Sequence, residues 1–128
     1  MITAQTTFSG FSVDNLEKAR EFYVDTLELI VKDETMGLDL ELPGGGRVFI
    51  YQKYNHTPAT FTVLNFVVES IDDTVDHLLD HGITFERYDD MPAKQDDKGI
   101  LRGKAVHQGP NIAWFKDPAG NILAVLES

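Results

Sequence analysis

Hydrophobic and polar residues follow the same order of elements twice along the chain. Residues 6–13 (TTFSGFSV) alternate and are rich in β-branched and aromatic types, which is typical of a strand. Asp14, with Glu17 three positions later, then predicts an N-cap and a capping box. The apolar residues that follow have helical spacing and predict a helix: Leu16, Ala19, Tyr23 and Leu27, with Phe22 beside them.

Two alternating runs complete the first half. Residues 38–42 (LDLEL) and 48–51 (VFIY) flank Pro43 and three glycines, which predicts a hairpin with a glycine turn. Residues 44–47 (GGGR) lack the Lys-Ser/Thr ending and the following helix of a phosphate-binding loop. We therefore interpret them as a turn.

The second half repeats this order. Residues 62–68 (TVLNFVV) predict a strand, and Ser70 with Asp73 resembles a second capping box. Gly82 is placed to end the helix, and residues 83–88 (ITFERY) predict a further strand. The apolar face of this helix is marked by Val75, Leu78 and Leu79.

The chain ends in a predicted hairpin around residues 117–121 (DPAGN). Pro118 fixes its own φ, and Gly120 or Asn121 can adopt the positive φ that a tight turn needs. Aligning Asp14 with Ser70 gives an offset of 56 residues, which also pairs Thr7 with Val63. The pattern therefore predicts a duplicated unit.

The polar, glycine-bearing residues 89–110 separate the second helix from the terminal hairpin. One interpretation is a long surface loop, partly strand. The other is a lid or binding segment, because loops longer than about 12–15 residues in compact domains often have such roles.

Composition narrows the class of protein. A chain of 128 residues with 42% hydrophobic residues is sufficient for one domain, and no apolar run approaches the roughly 20 residues of a membrane span. The net charge of −10 argues against binding nucleic acid; it serves solubility or attracts a cationic ligand. Because cysteine is absent and residues 1–5 lack a secretory signal, we expect a cytoplasmic location without disulfide or thiolate chemistry.

Residues 13–23 (VDNLEKAREFY) and 115–121 (FKDPAGN), in a duplicated βαβββ pattern, resemble the vicinal oxygen chelate superfamily. This superfamily includes glyoxalase I, extradiol dioxygenases, fosfomycin-resistance enzymes and bleomycin-binding proteins. The resemblance implies an α+β fold in a single domain, 1–128. It implies two tandem βαβββ modules, about 1–57 and 58–128, whose mixed sheets form half-barrels around a shared cavity. It also implies a homodimer.

Metal-dependent members of this superfamily hold an ion with four His, Gln or Glu side chains. Carried over to this chain, these positions fall on residues that are not usual ligands: Thr7, Tyr51, Val63 and Ala124. Divalent metals in such sites prefer imidazole or carboxylate donors. We therefore predict neither a metal nor another cofactor at this site.

Strand alternation predicts which residues face the cavity, because every second side chain shares a face. The predicted lining is mostly apolar with a few polar groups: Thr7, Ser9, Phe49, Tyr51, Val63, Asn65, Ile112, Trp114 and Ala124. These residues either fill the barrel as core or bind a small molecule. The leading hypothesis is a metal-independent binding protein for an aromatic or cationic compound, held by the rings of Trp114 and Tyr51.

Two further hypotheses assign chemistry to histidines. In the first, Tyr51 or His56 acts as the acid or base of a lyase or isomerase, since imidazole titrates near neutral pH. In the second, a metal is bound by residues outside the superfamily's set, such as His56 and His107. Arg102 and His107 are also candidates for contact with a ligand.

A histidine pair on the second predicted helix has a separate interpretation. His77 and His81 are four residues apart, and the apolar pattern puts both on the solvent side of the helix. Such a pair can bind adventitious metal, but a catalytic site also requires a third ligand and a cleft.

Overall fold

The computed structural model describes residues 1–128 and contains two α-helices and two four-stranded mixed sheets. Two compact units, Met1–Pro58 and Ala59–Ser128, each hold one helix and one sheet. The predicted α+β fold of two tandem modules with mixed sheets is confirmed. Neither helix has the length and apolar character that crossing a membrane requires.

The first unit has the element order βαβββ. After the helix, Phe22–Thr26 form a wider, π-type turn. Within the sheet the strand order is β1-β4-β3-β2, with β1 parallel to β4 and the other neighbours antiparallel. The elements are β1 (Ser9–Val13), α1 (Leu16–Glu21), β2 (Ile30–Glu34), β3 (Gly37–Glu41) and β4 (Arg47–Gln52).

Helix α1 begins one residue later than the sequence pattern suggested. The N-cap is Asn15, whose backbone is extended and whose Oδ1 accepts a hydrogen bond of 2.9 Å from the Lys18 amide. The prediction of an N-cap at Asp14 is therefore wrong. Because Asn15 now aligns with Ser70, the repeat has an offset of 55 residues.

The helix of the first unit packs on one face of its sheet. Phe11 of β1 contacts Tyr23, with their ring centroids 6.3 Å apart, and Phe11 lies opposite Ile50 of β4. Tyr23 and Ile50 are fully buried. Alternation therefore leaves the other face of β1 and β4 without a helix of this unit, and we call it the first helix-free face.

The second unit repeats the arrangement with a longer helix. Ser70 caps it as predicted, since its Oγ accepts a hydrogen bond from the Asp73 amide, and Gly82 follows its end at φ 86°. The sheet order is β5-β8-β7-β6, with β5 parallel to β8. The elements are β5 (Thr62–Val67), α2 (Ile71–Asp80), β6 (Leu101–Arg102), β7 (Asn111–Lys116) and β8 (Ile122–Glu127).

Helix α2 faces its sheet through Ile71, Val75 and Leu78, which are buried. Leu79 is 40% exposed, so its predicted place on the core face is wrong. A side chain of β8 holds the first residue of the helix, because Glu127 Oε2 accepts a hydrogen bond of 2.9 Å from the Ile71 amide. The side of β8 that carries Glu127 therefore faces the helix.

Residues 83–88 do not form the predicted strand. Phe85 makes an isolated bridge to Phe115, and the Glu86 amide donates to the Trp114 carbonyl. After Glu86, the Gln95 side chain makes hydrogen bonds to the backbone in place of a neighbouring strand. Gln95 accepts from the Tyr88 amide and donates to the Glu86 carbonyl.

The 89–110 segment is partly ordered by its own bonds. It contains the two-residue strand β6 and a 3₁₀ turn at Gly103–Val106, so the interpretation as loop with some strand is confirmed. Asp96 accepts from the Lys98 and Ile100 amides and pairs with Arg102. These bonds fix the second part of the segment, so the lid hypothesis now concerns residues 89–94.

The predicted turn at residues 117–121 is confirmed and owes its shape to a buried carboxylate. Asp117 Oδ1 accepts hydrogen bonds of 2.9 Å from the amides of Ala119 and Asn121. Its Oδ2 accepts from Asn121 Nδ2 at 3.0 Å. Gly120 adopts φ 84°, which permits the chain to reverse. The motif is therefore structural.

Candidate functional site

Strand pairing decides which predicted residues share the first helix-free face. Phe49 lies opposite Gly10, and Tyr51 lies opposite Ser12. Ser9 instead lies opposite the buried Val48, on the side that faces α1. The prediction that Ser9 shares a face with Phe49 and Tyr51 is therefore wrong.

Thr7 is exposed and precedes β1. Strand pairing therefore does not assign Thr7 to a face. The error at Ser9 comes from the N-cap, because counting from Asp14 instead of Asn15 shifts the pattern by one residue and moves every side chain of the strand to the other face.

Three aromatic side chains form a continuous row on this face. The rings of Phe8 and Phe49 meet edge to face at 6.5 Å, and those of Phe49 and Tyr51 stack at 6.2 Å. Phe8 is 60% exposed. Sequence reasoning missed it, although counting back from Asn15 by the interval used for Ser70 and Val63 finds it. We call Phe8, Phe49 and Tyr51 the aromatic row.

An ion pair lies beside the aromatic row. The Arg47 guanidinium is 5.3 Å from the centroid of the Phe8 ring, and its Nη1 donates to Asp39 Oδ2 at 3.0 Å. Because Asp39 is buried beside it, the positive charge of Arg47 is locally balanced. A hollow of about 280 Å³ opens here, lined by Phe8, Glu34, Thr35, Met36, Asp39, Arg47 and Phe49.

Gly37 makes room for this arrangement. A Cβ there would collide with the Ile50 carbonyl oxygen and would lie 3.0 Å from Cζ of Phe49. A side chain at this position would displace either strand β4 or the central ring of the aromatic row. The glycine therefore supports the site through close backbone approach.

His56 lies at the polar end of the same face. The chain turns back after β4, with the Lys53 amide donating to the Val13 carbonyl and the His56 amide to the Lys53 carbonyl. This turn puts His56 Nδ1 2.7 Å from Ser12 Oγ, and Ser12 lies opposite Tyr51. Of the two predicted acid–base candidates, His56 therefore contacts Ser12 directly, and Tyr51 lies on the neighbouring strand opposite Ser12.

On the second sheet, most of the residues predicted to line the cavity lie on one face. Trp114 and Asn65 both lie opposite Ala124, so the three form one row across β7, β8 and β5. Ile112 shares that side by alternation. Because Ala124 alternates with residues on the Glu127 side of β8, this row lies on the side away from α2, which we call the second helix-free face.

A β-bulge interrupts the predicted alternation of β5 at Val63. A β-bulge between Thr62 and Leu64 leaves Val63 unpaired and puts Thr62 opposite Ile122. A bulge adds one residue to a strand and resets its side-chain pattern. Alternation therefore does not assign Val63 to either face, and its place in the lining stays a prediction.

A second hollow, of about 250 Å³, lies beside Trp114. Tyr88 meets the Trp114 ring edge to face at 5.4 Å, and its hydroxyl is buried without a hydrogen-bond partner. Burial raises the pKa of this phenol, and the neighbouring Glu86 carboxylate raises it further. The lining residues are Thr60, Phe61, Thr62, Tyr88, Asp90, Met91, Trp114 and Ile122.

Arg102 and His107 are the remaining candidates for contact with a ligand. Arg102 donates to both carboxylate oxygens of Asp72 and to Asp96, which ties the 89–110 segment to α2. This contact holds the pKa of Asp72 below its ordinary value. His107 is exposed and adopts φ 55° after the 3₁₀ turn. Nothing in the geometry assigns a ligand to Arg102 or His107.

His77 and His81 are exposed on α2, as predicted, with ring centroids 4.2 Å apart.

A larger hollow of about 490 Å³ lies at the β3–β4 hairpin and contains no aromatic ring. Gly44 and Gly45 adopt positive φ there, consistent with the predicted turn.

The corrected strand register also changes which residues occupy the superfamily's metal positions. Phe8, rather than Thr7, is the counterpart of Val63, since each lies seven residues before its N-cap. Phe49, rather than Tyr51, is the counterpart of Ala124, because Gly10 and Asn65 correspond and face these residues. None of these four side chains has an imidazole or carboxylate donor. The residues present do not fit the metal.

Two βαβββ units with parallel outer pairs define the architecture of the vicinal oxygen chelate fold. Residues 5–125 match the family model described as Glyoxalase/Bleomycin resistance protein/Dioxygenase superfamily, and the chain belongs to that superfamily. No curated protein matches the sequence at a significant level.

Solved structures share the fold at low sequence identity. A glyoxalase family protein from Enterococcus faecalis is 23% identical, with a TM-score of 0.68 over 99% of this chain and 100% of that chain. TnmS3, an antibiotic binding protein from Streptomyces sp. CB03234, is 19% identical, with a TM-score of 0.65 over 98% of each chain. The fosfomycin resistance protein FosX from Listeria monocytogenes is 12% identical, with a TM-score of 0.69 over 99% and 95%.

Proposed function

We propose that this protein binds an aromatic or cationic small molecule without using a metal at the superfamily's positions. The observation that carries the proposal is the aromatic row, whose outer ring, Phe8, is largely exposed on a sheet face without a helix. Exposed aromatic rings bind planar compounds by stacking and cations at about 0.5–2 kcal/mol each. The proposed contacts are Phe8, Phe49 and Tyr51 in the first unit, and Asn65, Ile112 and Trp114 in the second.

The charge distribution favours a neutral or cationic ligand. Asp39 balances the one guanidinium beside the aromatic row, and the chain as a whole carries a net charge of −10. An anionic compound would be repelled by this field, whereas a cation would be attracted. TnmS3, which has this fold, is an antibiotic binding protein, and this supports the idea that the fold can hold drug-like molecules.

Titration with a panel of planar aromatic and aromatic cationic drugs tests the proposal. Trp114 is the single tryptophan, so its fluorescence reports on the second unit, and calorimetry reports on both. We expect at least one compound to bind in the presence of EDTA, and we expect Phe49→Ala to weaken binding to the aromatic row about tenfold. The matched control is Tyr54→Ala, an exposed tyrosine of the same unit. Absence of binding across the panel contradicts the proposal.

A second candidate function is acid–base catalysis, and the 2.7 Å contact between Ser12 and His56 favours it. An imidazole beside a hydroxyl and an aromatic face can transfer protons to a bound carbonyl compound. Loss of the methyl proton signal of acetone, an uncharged ketone, in D₂O tests this activity without knowledge of the product. Exchange that is slower in His56→Ala than in the wild type supports it. Exchange in both His56→Ala and Tyr51→Phe at the same rate as in the wild type contradicts it.

The homodimer and the cytoplasmic location remain proposals from the superfamily resemblance and the composition. Light scattering coupled to size-exclusion chromatography measures the first. A monomeric mass across the micromolar range would contradict it.

A further inference from the structure

We propose that the hollow beside Trp114 recognises a planar, uncharged or cationic aromatic compound that carries a hydrogen-bond acceptor, with the Tyr88 hydroxyl as the donor. This inference rests on the proposed small-molecule binding and adds the chemical class of the ligand. It also adds a residue that sequence reasoning assigned to a strand and to no site.

The first argument is the unpaired hydroxyl. The Tyr88 Oη is shielded from solvent and has no hydrogen-bond partner. Folded proteins pair the great majority of their buried polar side-chain atoms, so an exception calls for an explanation. An acceptor supplied by a ligand would complete the pairing, and Tyr88 is one of the residues that line the hollow in which that ligand would lie.

The second argument concerns the shape of the hollow. The Trp114 and Tyr88 rings stand nearly perpendicular, with an interplanar angle of 75°, and Phe61 adds a third ring to the lining. Such walls complement a flat ring that stacks on one aromatic face and meets another with its edge. A volume of about 250 Å³ limits the bound part to a small ring system.

The third argument concerns charge. Asp90 lines the hollow, and a carboxylate there disfavours an anionic ligand. The acceptor is therefore a neutral atom, such as a ring nitrogen or a carbonyl oxygen. A tyrosine phenol is protonated at neutral pH, and burial moves the pKa of Tyr88 further upward, so the hydroxyl can donate to such an atom.

Access to the hydroxyl requires a local movement. The Tyr88 amide is held by Gln95 at 2.7 Å, so its backbone is fixed on that side. Asp90 and Met91, two and three residues after Tyr88, contribute to the lining. A shift of residues 89–94 or a rotation of the Tyr88 ring would expose the hydroxyl. In this proposal, residues 89–94 are the lid over the hollow beside Trp114.

Naphthalene and quinoline provide a matched test, because they have nearly the same size and only quinoline has a ring nitrogen. The indole N–H of the single tryptophan gives one signal in a proton–nitrogen correlation spectrum of labelled protein, and its shift measures binding. We expect the wild type to bind quinoline about tenfold more tightly than naphthalene at neutral pH. Tyr88→Phe should bind both compounds equally, because it keeps the ring and removes the donor. Tyr54→Phe, at an exposed site, should retain the preference.

The outcomes separate this inference from the broader proposal. Equal binding of both compounds by the wild type overturns the inference and leaves small-molecule binding intact. A preference that persists in Tyr88→Phe overturns it as well. If neither compound moves the Trp114 signal, the inference fails, and binding on the second helix-free face loses its support while the aromatic row remains to be measured by calorimetry.

Discussion

Replacing Asp117 by alanine should strongly destabilise the protein, because its carboxylate organises the terminal turn. Asp117 is 4% exposed, and its carboxylate accepts hydrogen bonds from two backbone amides at 2.9 Å and from the Asn121 side-chain amide at 3.0 Å. A hydrogen bond to a charged group contributes about 1.5–3 kcal/mol, and buried donors left without a partner add a penalty. Because part of the turn can take up water, we expect a loss of about 3 kcal/mol or more in the free energy of unfolding. That corresponds to a decrease of about 10 °C or more in Tm for a chain of this size.

Urea denaturation of three variants tests this reasoning. Asp117→Asn keeps one acceptor for the two backbone amides and loses the bond from Asn121, so it should lose about 1–2 kcal/mol. Asp89→Ala, at an exposed position, should stay within about 0.5 kcal/mol of the wild type. A value for Asp117→Ala within about 1 kcal/mol of the wild type would refute the assigned role of the carboxylate.

Three further predictions follow from the fold. Asn15→Ala should destabilise the protein by about 1 kcal/mol in chemical denaturation while Asp14→Ala has little effect, and the reverse order would reject the assigned N-cap. Gly37→Ala should reduce Tm by far more than Gly46→Ala, because its methyl group meets a carbonyl of strand β4 while the other meets an ordinary side-chain contact. Glu127 has its pKa held below the ordinary 4.5 by the amide that begins helix α2 and by a nearby lysine, so its stabilisation is complete above pH 4.5 and is lost as the pH falls through the lowered value. Denaturation between about pH 6 and pH 3 should therefore show a shallower acid loss in Glu127→Gln, and equal slopes would contradict the contact.

Local sequence signals predicted the features that depend on neighbouring residues. The 117–121 turn needs an acceptor and a residue with positive φ within five positions, and both are visible in the sequence. Ser70 and Gly82 mark the ends of α2 for the same reason. The duplication is visible because each unit buries one helix face and one sheet face, which repeats the same apolar spacing.

The helix-free faces were harder to predict because strand parity magnifies small errors. Asp14 and Asn15 are both good N-caps, and choosing the wrong one moved the predicted lining from Phe8 to Thr7 and Ser9. The bulge at Val63 has no signal in a period-two pattern. Such features depend on pairing with a distant strand.

Other errors arose from contacts between distant residues. Residues 83–88 have the composition of a strand, but Gln95 from the following loop bonds two of their backbone groups, the Tyr88 amide and the Glu86 carbonyl. The contact between Ser12 and His56 joins residues 44 positions apart. The unpaired hydroxyl of Tyr88 is defined by its surroundings, which the sequence does not specify.

The most direct test of a metal-free binding site on the helix-free faces is to map where a compound of the panel binds. Nuclear Overhauser effects between the compound and isotopically labelled aromatic rings, measured with EDTA present, give this map. The compound should show contacts to Phe8 and Phe49, to the Trp114 indole, or to both, and its affinity should not change when divalent cations are removed. Contacts to Thr7 and Ser9 instead, or binding that disappears with EDTA and returns with a divalent ion, would contradict a metal-free site on the helix-free faces.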